Sequence, residues 1–426
     1  MARTDEQPEP GRWVDAAHLG ALAEESLAGC DIIAGFTEEP GRITRTFLCP
    51  SMHDVHQHLT ECMRAAGMSV RVDAVGNLIG RYPPLQEPAP VFLIGSHLDT
   101  VPNAGKYDGI LGVVLGVGAV KALAGRRLPF AVEVLGFSEE EGIRFRKPYL
   151  GSLAVTGRFD PHLLQMSDSA GITLGDAIRN FGLELEQIPR AAYPTDRVLG
   201  YLETHIEQGP ILADLNMPVG VVEAIVGQTR LWLIFEGNAG HAGTLPMDRR
   251  EDALTAAAEF VLEVEQLARI TDGLRGTVGQ ISVDPGVVNV VPGNARLSVD
   301  IRHADDSTRE AAVRLLLQKG EANAAKRGVR FHLELESHQQ AVPADPRLTD
   351  LLAGTTRDLS VPFRRMVSGA GHDAVIMAAL TPWTMLFVRS PNGISHHPDE
   401  TVLPDDIMIA LEIMVHFLFR LAGVSR

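Results

Sequence analysis

Apolar runs that stop abruptly in polar clusters set the pattern of this chain. Val91-Phe92-Leu93-Ile94 ends at Gly95, and Ser96, His97, Asp99 and then Asp108 follow. Ala131–Phe137 leads straight into Ser138-Glu139-Glu140-Glu141-Gly142. Trp383–Val388 gives way to Arg389–Glu400, in which His396 and His397 are adjacent. Short apolar runs of this kind predict buried strands. Val198–Pro210 alternates instead. As a strand it carries Tyr201, Glu203, His205 and Glu207 on one face, and Gly209-Pro210 ends it. Helical spacing predicts helices over 15–28, 51–66, 349–359 and 405–422. The Gly/Ala-rich run Ile110–Ala124 suits a tightly packed helix. Val70–Asp73 and Leu78-Ile79-Gly80 read as a strand pair across Gly76-Asn77, and residues 1–12 read as disordered.

The texture changes near Met217. Strands over 220–236 and 279–302 and helices over 248–268 and 307–328 form a pattern of about 115 residues. Such a stretch reads as a self-contained α+β subdomain inserted into an α/β domain. The expected domains are 13–216 and 333–426, together one catalytic domain, and 217–332 between them. The insert holds the loop Gly237–Thr244, whose small residues leave His241 accessible. A second Gly-rich turn, Ser368–Asp373, lies in the last part.

Composition narrows the function. At 426 residues and 45% hydrophobic content, a large core and two domains are expected. No apolar leader follows Met1, and no apolar run reaches membrane-spanning length, so neither secretion nor a membrane is expected. Cys30, Cys49 and Cys62 cannot all pair and lack CxxC spacing, which fits a reducing cytoplasm. A formal net charge of -16 argues against nucleic acid but leaves room for a small anionic substrate met by local arginines.

Ligands of open α/β sheets gather at the carboxyl ends of the strands. A charge run is usually a solvated face, and a lone histidine is usually structural. Here His97, Asp108, the Glu139–Glu141 run, His205 and His396 each follow or end a predicted strand. Together these imidazoles and carboxylates suit a two-metal site, whose ions stand ~3.5–4 Å apart. A neighbouring carboxylate that binds no metal is then available as general base.

The stretches GSHLDTVPNAGKYDGILG, FSEEEGIRF, YLETHIEQGP, GNAGHAGTLPM, GVVNVVPGNARLSVDIRH, SGAGHDA and GISHHPDE resemble, in order, the M20 metallopeptidase-like family. The resemblance is to its amidase/hydantoinase-carbamoylase branch: allantoate amidohydrolases, N-carbamoyl-L-amino-acid hydrolases and β-ureidopropionases. It implies a mixed-sheet di-metal domain of α/β class with an inserted α+β lid, through which a homodimer forms. It implies two divalent ions, Zn or else Mn, Co or Ni. His97, Asp108, Glu141, His205 and His396 would be their ligands, with Asp108 bridging and Asp99 holding the His97 ring. Glu140 would be the general base, although the extra Glu139 leaves that register open by one. His396 matches the family ligand better than His397. His241 would stabilise the oxyanion, in its own subunit or across to the partner. Gln208, Asn289, Arg302 and the backbone of Gly369 and Ala370 would hold the substrate. Asn289 and Gln208 can also be read as structural, and Arg302 as an ion-paired strand residue.

The activity so implied is hydrolysis of a linear ureido C–N bond beside a carboxylate, releasing ammonia and carbon dioxide. RTFLCPSM, EEEGIRF and YLGSLAVTG lean toward allantoate. An N-carbamoyl-L-amino acid or a β-ureido acid is the alternative. An aminoacylase or peptidase of the same superfamily, or a metal-free scaffold, is more distant.

Overall fold

The computed structural model describes residues 13–424, so the reading of residues 1–12 lies outside the described residues. The chain divides into two units. One comprises the residues up to Glu223 and from Ala344 onward; the other is Ala224–Pro343. In chain order the first unit contains α1 (Ala16–Ala34), α2 (Met52–Ala65), β1 (Ser69–Val72), β2 (Leu78–Tyr82), β3 (Val91–His97), α3 (Ile110–Ala122) and β4 (Ala131–Phe137). It continues with α4 (Leu150–Val155), α5 (Leu174–Asn180), β5 (Val198–Ile206), α6 (Ile211–Asp214) and β6 (Val219–Ile225). The second unit adds β7 (Gly227–Glu236), β8 (Gly240–His241), α7 (Ala253–Ile270), β9 (Arg275–Asp284), β10 (Val290–Val291), β11 (Asn294–His303), α8 (Asp306–Arg327), β12 (Arg330–Gln339) and β13 (Val342–Pro343). The chain then returns through α9 (Pro346–Asp358), β14 (Phe363–Ser368), α10 (Ala374–Met377), β15 (Trp383–Val388) and α11 (Pro404–Leu421).

The apolar runs become the middle of a mixed sheet in the order β1-β2-β4-β3-β5-β15-β6. β4, β3, β5 and β15 are parallel, whereas β2 and β6 flank them antiparallel. Every residue of β3, β4 and β15 is buried, as continuous apolar runs require of strands covered on both faces. Parallel strands end at one edge of a sheet. The residues after Phe137, His97, Ile206 and Val388 therefore share that edge.

Helix α3 is apolar on nearly every side and almost wholly buried, as a helix without a polar face must be. Its glycines let it lie close to the sheet. A Cβ on Gly112 would stand 2.1 Å from the Thr204 carbonyl oxygen on β5. That approach brings Asp108, two residues before the helix, to the strand ends.

The second unit packs its own core, with Phe235, Phe260, Val264, Leu297 and Leu316 buried between α7, α8 and a four-stranded antiparallel sheet in the order β12-β7-β11-β9. Two expectations change here. The helix read over 248–268 begins only at Ala253, because the Asp252 carboxylate caps it by accepting the Thr255 N–H at 3.0 Å. The insert read as 217–332 gives way to a unit running from Ala224 to Pro343. A boundary at 332 would cut β12, which pairs with β7 along its length.

Buried His56 on α2 makes a pH prediction. Its Nε2 has no hydrogen-bond partner among the described residues, and its ring meets Phe181 edge-on at 5.6 Å. Burial, and then the neighbouring His53, pull its pKa down from 6.5 to about 4. The unfolded chain therefore takes up this proton first. The stabilisation is complete above pH 6.5 and is lost as pH falls through 6.5 toward 4, by about 3 kcal/mol in all. Urea midpoints of His56→Phe should thus fall less steeply between about pH 7.5 and 4.5 than those of the parent. Equal slopes would refute the account.

Candidate metal centre

Asp108 is the focus of the strand-end edge. The Nε2 of His205 lies 3.1 Å and that of His97 3.4 Å from its Oδ1, while the Nε2 of His396 lies 3.0 Å from its Oδ2. Oδ1 is buried and has no aligned hydrogen bond in spite of these approaches. The imidazole orientations explain why. His97 Nδ1 stands 3.0 Å from the Asp99 carbonyl oxygen, and His205 Nδ1 stands 2.9 Å from that of Ile206. A carbonyl only accepts, so both Nδ1 atoms carry the proton. The two Nε2 atoms then face each other at 3.5 Å with their lone pairs inward, beside a carboxylate oxygen. With Nε2 deprotonated on both rings, three lone pairs converge there and suit a cation. Nitrogen and oxygen donors in this proportion suit a divalent ion.

His97, Asp108 and His205 form one group of ligand-type atoms that lie within 4.8 Å of one another, and Asp108, Glu141 and His396 form another. The first group is buried. His396 is half-exposed, with its side chain at 47% of full exposure, and its Nε2 is 3.4 Å from Glu141 Oε1. His397 turns to Asp399 instead. These residues fit a pair of cations sharing Asp108.

Charge in the cluster follows from the same geometry. Burial works against a charged His97, but the nearby Asp108 and Asp99 carboxylates outweigh it and raise the imidazole well above its ordinary pKa, so a cation at Nε2 would have to displace a proton. Burial would raise Asp108, yet the three imidazoles hold it well below the usual carboxylate range. Glu141 is pushed up to about 7, first by burial and then by Asp108. Burial drives Glu140 well above the ordinary carboxylate range, and Glu141, Asp373 and Asp99 add to this against the pull of His97.

Asp99 holds the backbone of two of the three glutamates. Its Oδ1 accepts the Glu140 N–H at 2.9 Å and its Oδ2 the Glu141 N–H at 3.1 Å. Glu140 and Glu141 thereby join a group with His97. Glu139 is in none of these groups, and its Oε1 accepts the Gly142 N–H at 2.5 Å. Gly109, the residue after Asp108, takes φ 72°, and a Cβ there would stand 2.4 Å from the His97 ring. Only glycine provides both the left-handed turn and room for the imidazole.

The profile of peptidase family M20/M25/M40 matches residues 93–420. The chain belongs to this family. A probable allantoate deiminase of Oryza sativa subsp. japonica is 38% identical over 95% of this chain and 89% of its own length. An N-carbamoyl-L-amino acid amidohydrolase of Geobacillus stearothermophilus is 36% identical over 90% of this chain and 94% of its own. The crystal structure of a hydantoinase/carbamoylase family amidase from Burkholderia ambifaria superposes with a TM-score of 0.88 at 33% identity, covering 97% of this chain and 99% of that one. The family resemblance carried by the motifs is borne out, and the M20 relatives bear the names of two of the three activities that it implied.

Other residues of this M20 chain divide by unit. Gln208 reaches the cluster, its Nε2 donating to Asp108 Oδ2 at 3.1 Å. Gly369 and Ala370 lie in the loop after β14, where Ser368 Oγ accepts the Ala370 N–H at 3.2 Å. In the second unit His241 is exposed, and its Nδ1 accepts the N–H groups of Gly243 and Thr244, which leaves the proton on Nε2. Asn289 lies beside it, because Val290 pairs with His241 across β8 and β10. Arg302 is ion-paired with Asp300, through Nε at 2.9 Å and Nη2 at 3.1 Å, as the strand-residue reading allowed.

Three residues escaped the sequence reading. Glu400 accepts the N–H groups of Tyr107 and Asp108 at 2.9 and 3.0 Å and so fixes the loop that carries Asp108. It stands in GISHHPDE, so its signal was present. His372 is buried with its ring 4.6 Å from that of His205, and its Nε2 is 2.8 Å from Ser368 Oγ. Tyr149 caps α4 in a left-handed conformation, φ 69°, which is strained for an aromatic residue. Burial, and then Glu140, raise its phenol well above the ordinary value, so it keeps its proton.

Proposed function

We propose that this chain is a metal-dependent amidohydrolase that cleaves a linear ureido C–N bond next to a carboxylate, with allantoate the first substrate to try and N-carbamoyl-L-amino acids the second. The observation that carries the reading is the pair of inward-facing Nε2 atoms beside the unpaired Asp108 oxygen. The relatives' names supply the bond to be cleaved.

In this reading His97, Asp108 and His205 hold one divalent ion, and Asp108, Glu141 and His396 hold a second. When bound, such ions supply Lewis acidity, polarising a carbonyl and lowering the pKa of water from about 15.7 to about 7. Glu140 takes the proton from the attacking water and delivers it to the leaving nitrogen. Its raised pKa suits a group that must hold a proton and then release it. Asp99 keeps the His97 ring and the Glu140 backbone in place. His241, with its proton on Nε2, donates to the oxyanion of the tetrahedral intermediate. Asn289, Arg302, Gln208 and the Gly369–Ala370 backbone bind the polar groups and carboxylate of a small anionic substrate. The inserted unit serves as lid and homodimer interface. Among the described residues no helix is long and apolar enough to cross a membrane.

An assay that reads both released ammonia and newly freed amino groups decides the matter. Purified protein loaded in turn with Zn, Mn, Co or Ni is offered allantoate, N-carbamoyl-L-amino acids, N-acetyl amino acids and dipeptides. Ammonia from a ureido substrate is expected. Turnover confined to acetylated or peptide substrates would move the chain to the aminoacylase or peptidase side of the family.

A further inference from the structure

The loop between the glutamate run and α4 carries a side chain that the proposed mechanism does not use. Tyr149 follows Glu140 closely in the chain, and its N–H reaches back to the Glu140 carbonyl at 3.3 Å. Gly142, Arg146 and Tyr149, all in this short stretch, have positive φ. For Arg146 and Tyr149 that conformation is strained, and strain of this kind collects at functional sites. What it achieves here is the placement of one hydroxyl. A Cβ added to Gly371 would stand 2.1 Å from Tyr149 Oη and 3.8 Å from Glu140 Oε1. The phenol therefore fills the space against Gly371, in the loop that also carries Gly369 and Ala370, on the side where Glu140 lies. Tyr149 is only partly buried, and no hydrogen bond to its hydroxyl is formed among the described residues.

A phenol offers one donor and acceptor lone pairs. The hydroxyl, unpaired among the described residues and on the Glu140 side of Gly371, is free to rotate and present a lone pair to a group bound beside Glu140. An acceptor in that place favours a substrate that brings N–H groups. A carbamoyl group ends in a primary amide nitrogen with two such donors, whereas the acetyl group of the same shape ends in a methyl. We propose that Tyr149 is a specificity-determining residue, whose phenolic oxygen accepts a hydrogen bond from the terminal amide nitrogen of a ureido substrate and so selects carbamoyl over acyl compounds. This rests on the ureido-hydrolase reading above and names the group that would enforce it. A site built around one hydrogen bond discriminates against an isostere that cannot make it, because the site's own polar atom is then left unpaired.

The test measures kcat/KM for an N-carbamoyl amino acid and for the N-acetyl derivative of the same amino acid, with metal content and melting temperature recorded for each variant. In Tyr149→Phe the carbamoyl-to-acetyl ratio should fall about tenfold or more. Gly371→Ala places a methyl where the hydroxyl stands, and should lower the ratio likewise. Combined with Tyr149→Phe, Gly371→Ala should lower it no further, because the displaced oxygen is already gone. A Tyr149→Phe protein with normal metal content and an unaltered ratio overturns the proposal and leaves the ureido reading standing. So do losses that add in the double variant. A parent protein that hydrolyses no carbamoyl compound overturns both.

Discussion

Glu140→Gln is expected to lower kcat by about 10²–10⁴-fold while leaving metal content and melting temperature near those of the parent. The substitution preserves shape, because the backbone of residue 140 is fixed from outside by Asp99 Oδ1 at 2.9 Å. It removes the ability to accept a proton and return it, which is the role assigned to Glu140 alone. The neighbour Glu141 cannot substitute, since its carboxylate is turned to His396 at 3.4 Å. Elemental analysis together with steady-state rates on whichever substrate the panel identifies checks the outcome. A variant that binds metal and keeps full activity would show that the base lies elsewhere, with Glu139 the first place to look.

Asp108→Ala should have the larger structural effect, with turnover lost altogether. Three imidazoles share this carboxylate within 3.4 Å. Its removal takes a donor from both proposed positions and leaves His97 and His205, each almost wholly buried, beside an empty space. Deleting one partner of a buried charged cluster costs about 3–5 kcal/mol. Parent protein should lose melting temperature on treatment with a chelator, because a cation that binds only the folded state stabilises it. The Asp108→Ala protein should melt lower and ignore the chelator. An undiminished chelator response in the variant would place the cation away from Asp108.

Much of this was legible in the chain because its chemistry falls where apolar runs stop. His97, Glu140, Glu141, His205 and His396 are announced by the strands that deliver them, and parallel pairing does the rest. What stayed hidden depends on contacts between distant segments. Glu400 acts on backbone far earlier in the chain, at Tyr107 and Asp108. Tyr149 matters only through Gly371, and no local periodicity links them. The end of the inserted unit was missed for another reason. Phe331, Leu333 and Leu335 alternate as a strand should, but almost every residue of β12 is exposed, so it lacks the strong apolar signal of the buried runs.

The two ligand groups differ in their access to water. His97 and His205 have side chains only 2% and 1% exposed, whereas His396, at 47%, looks outward. An ion in the inner position can leave only after the protein opens. An ion in the outer one, held by Asp108, Glu141 and the half-exposed His396, would exchange with the surrounding buffer without such opening. Stoichiometry and metal identity in a purified sample would then record its handling: an inner ion inherited from the cell, and an outer ion that belongs to the last solution the protein was in.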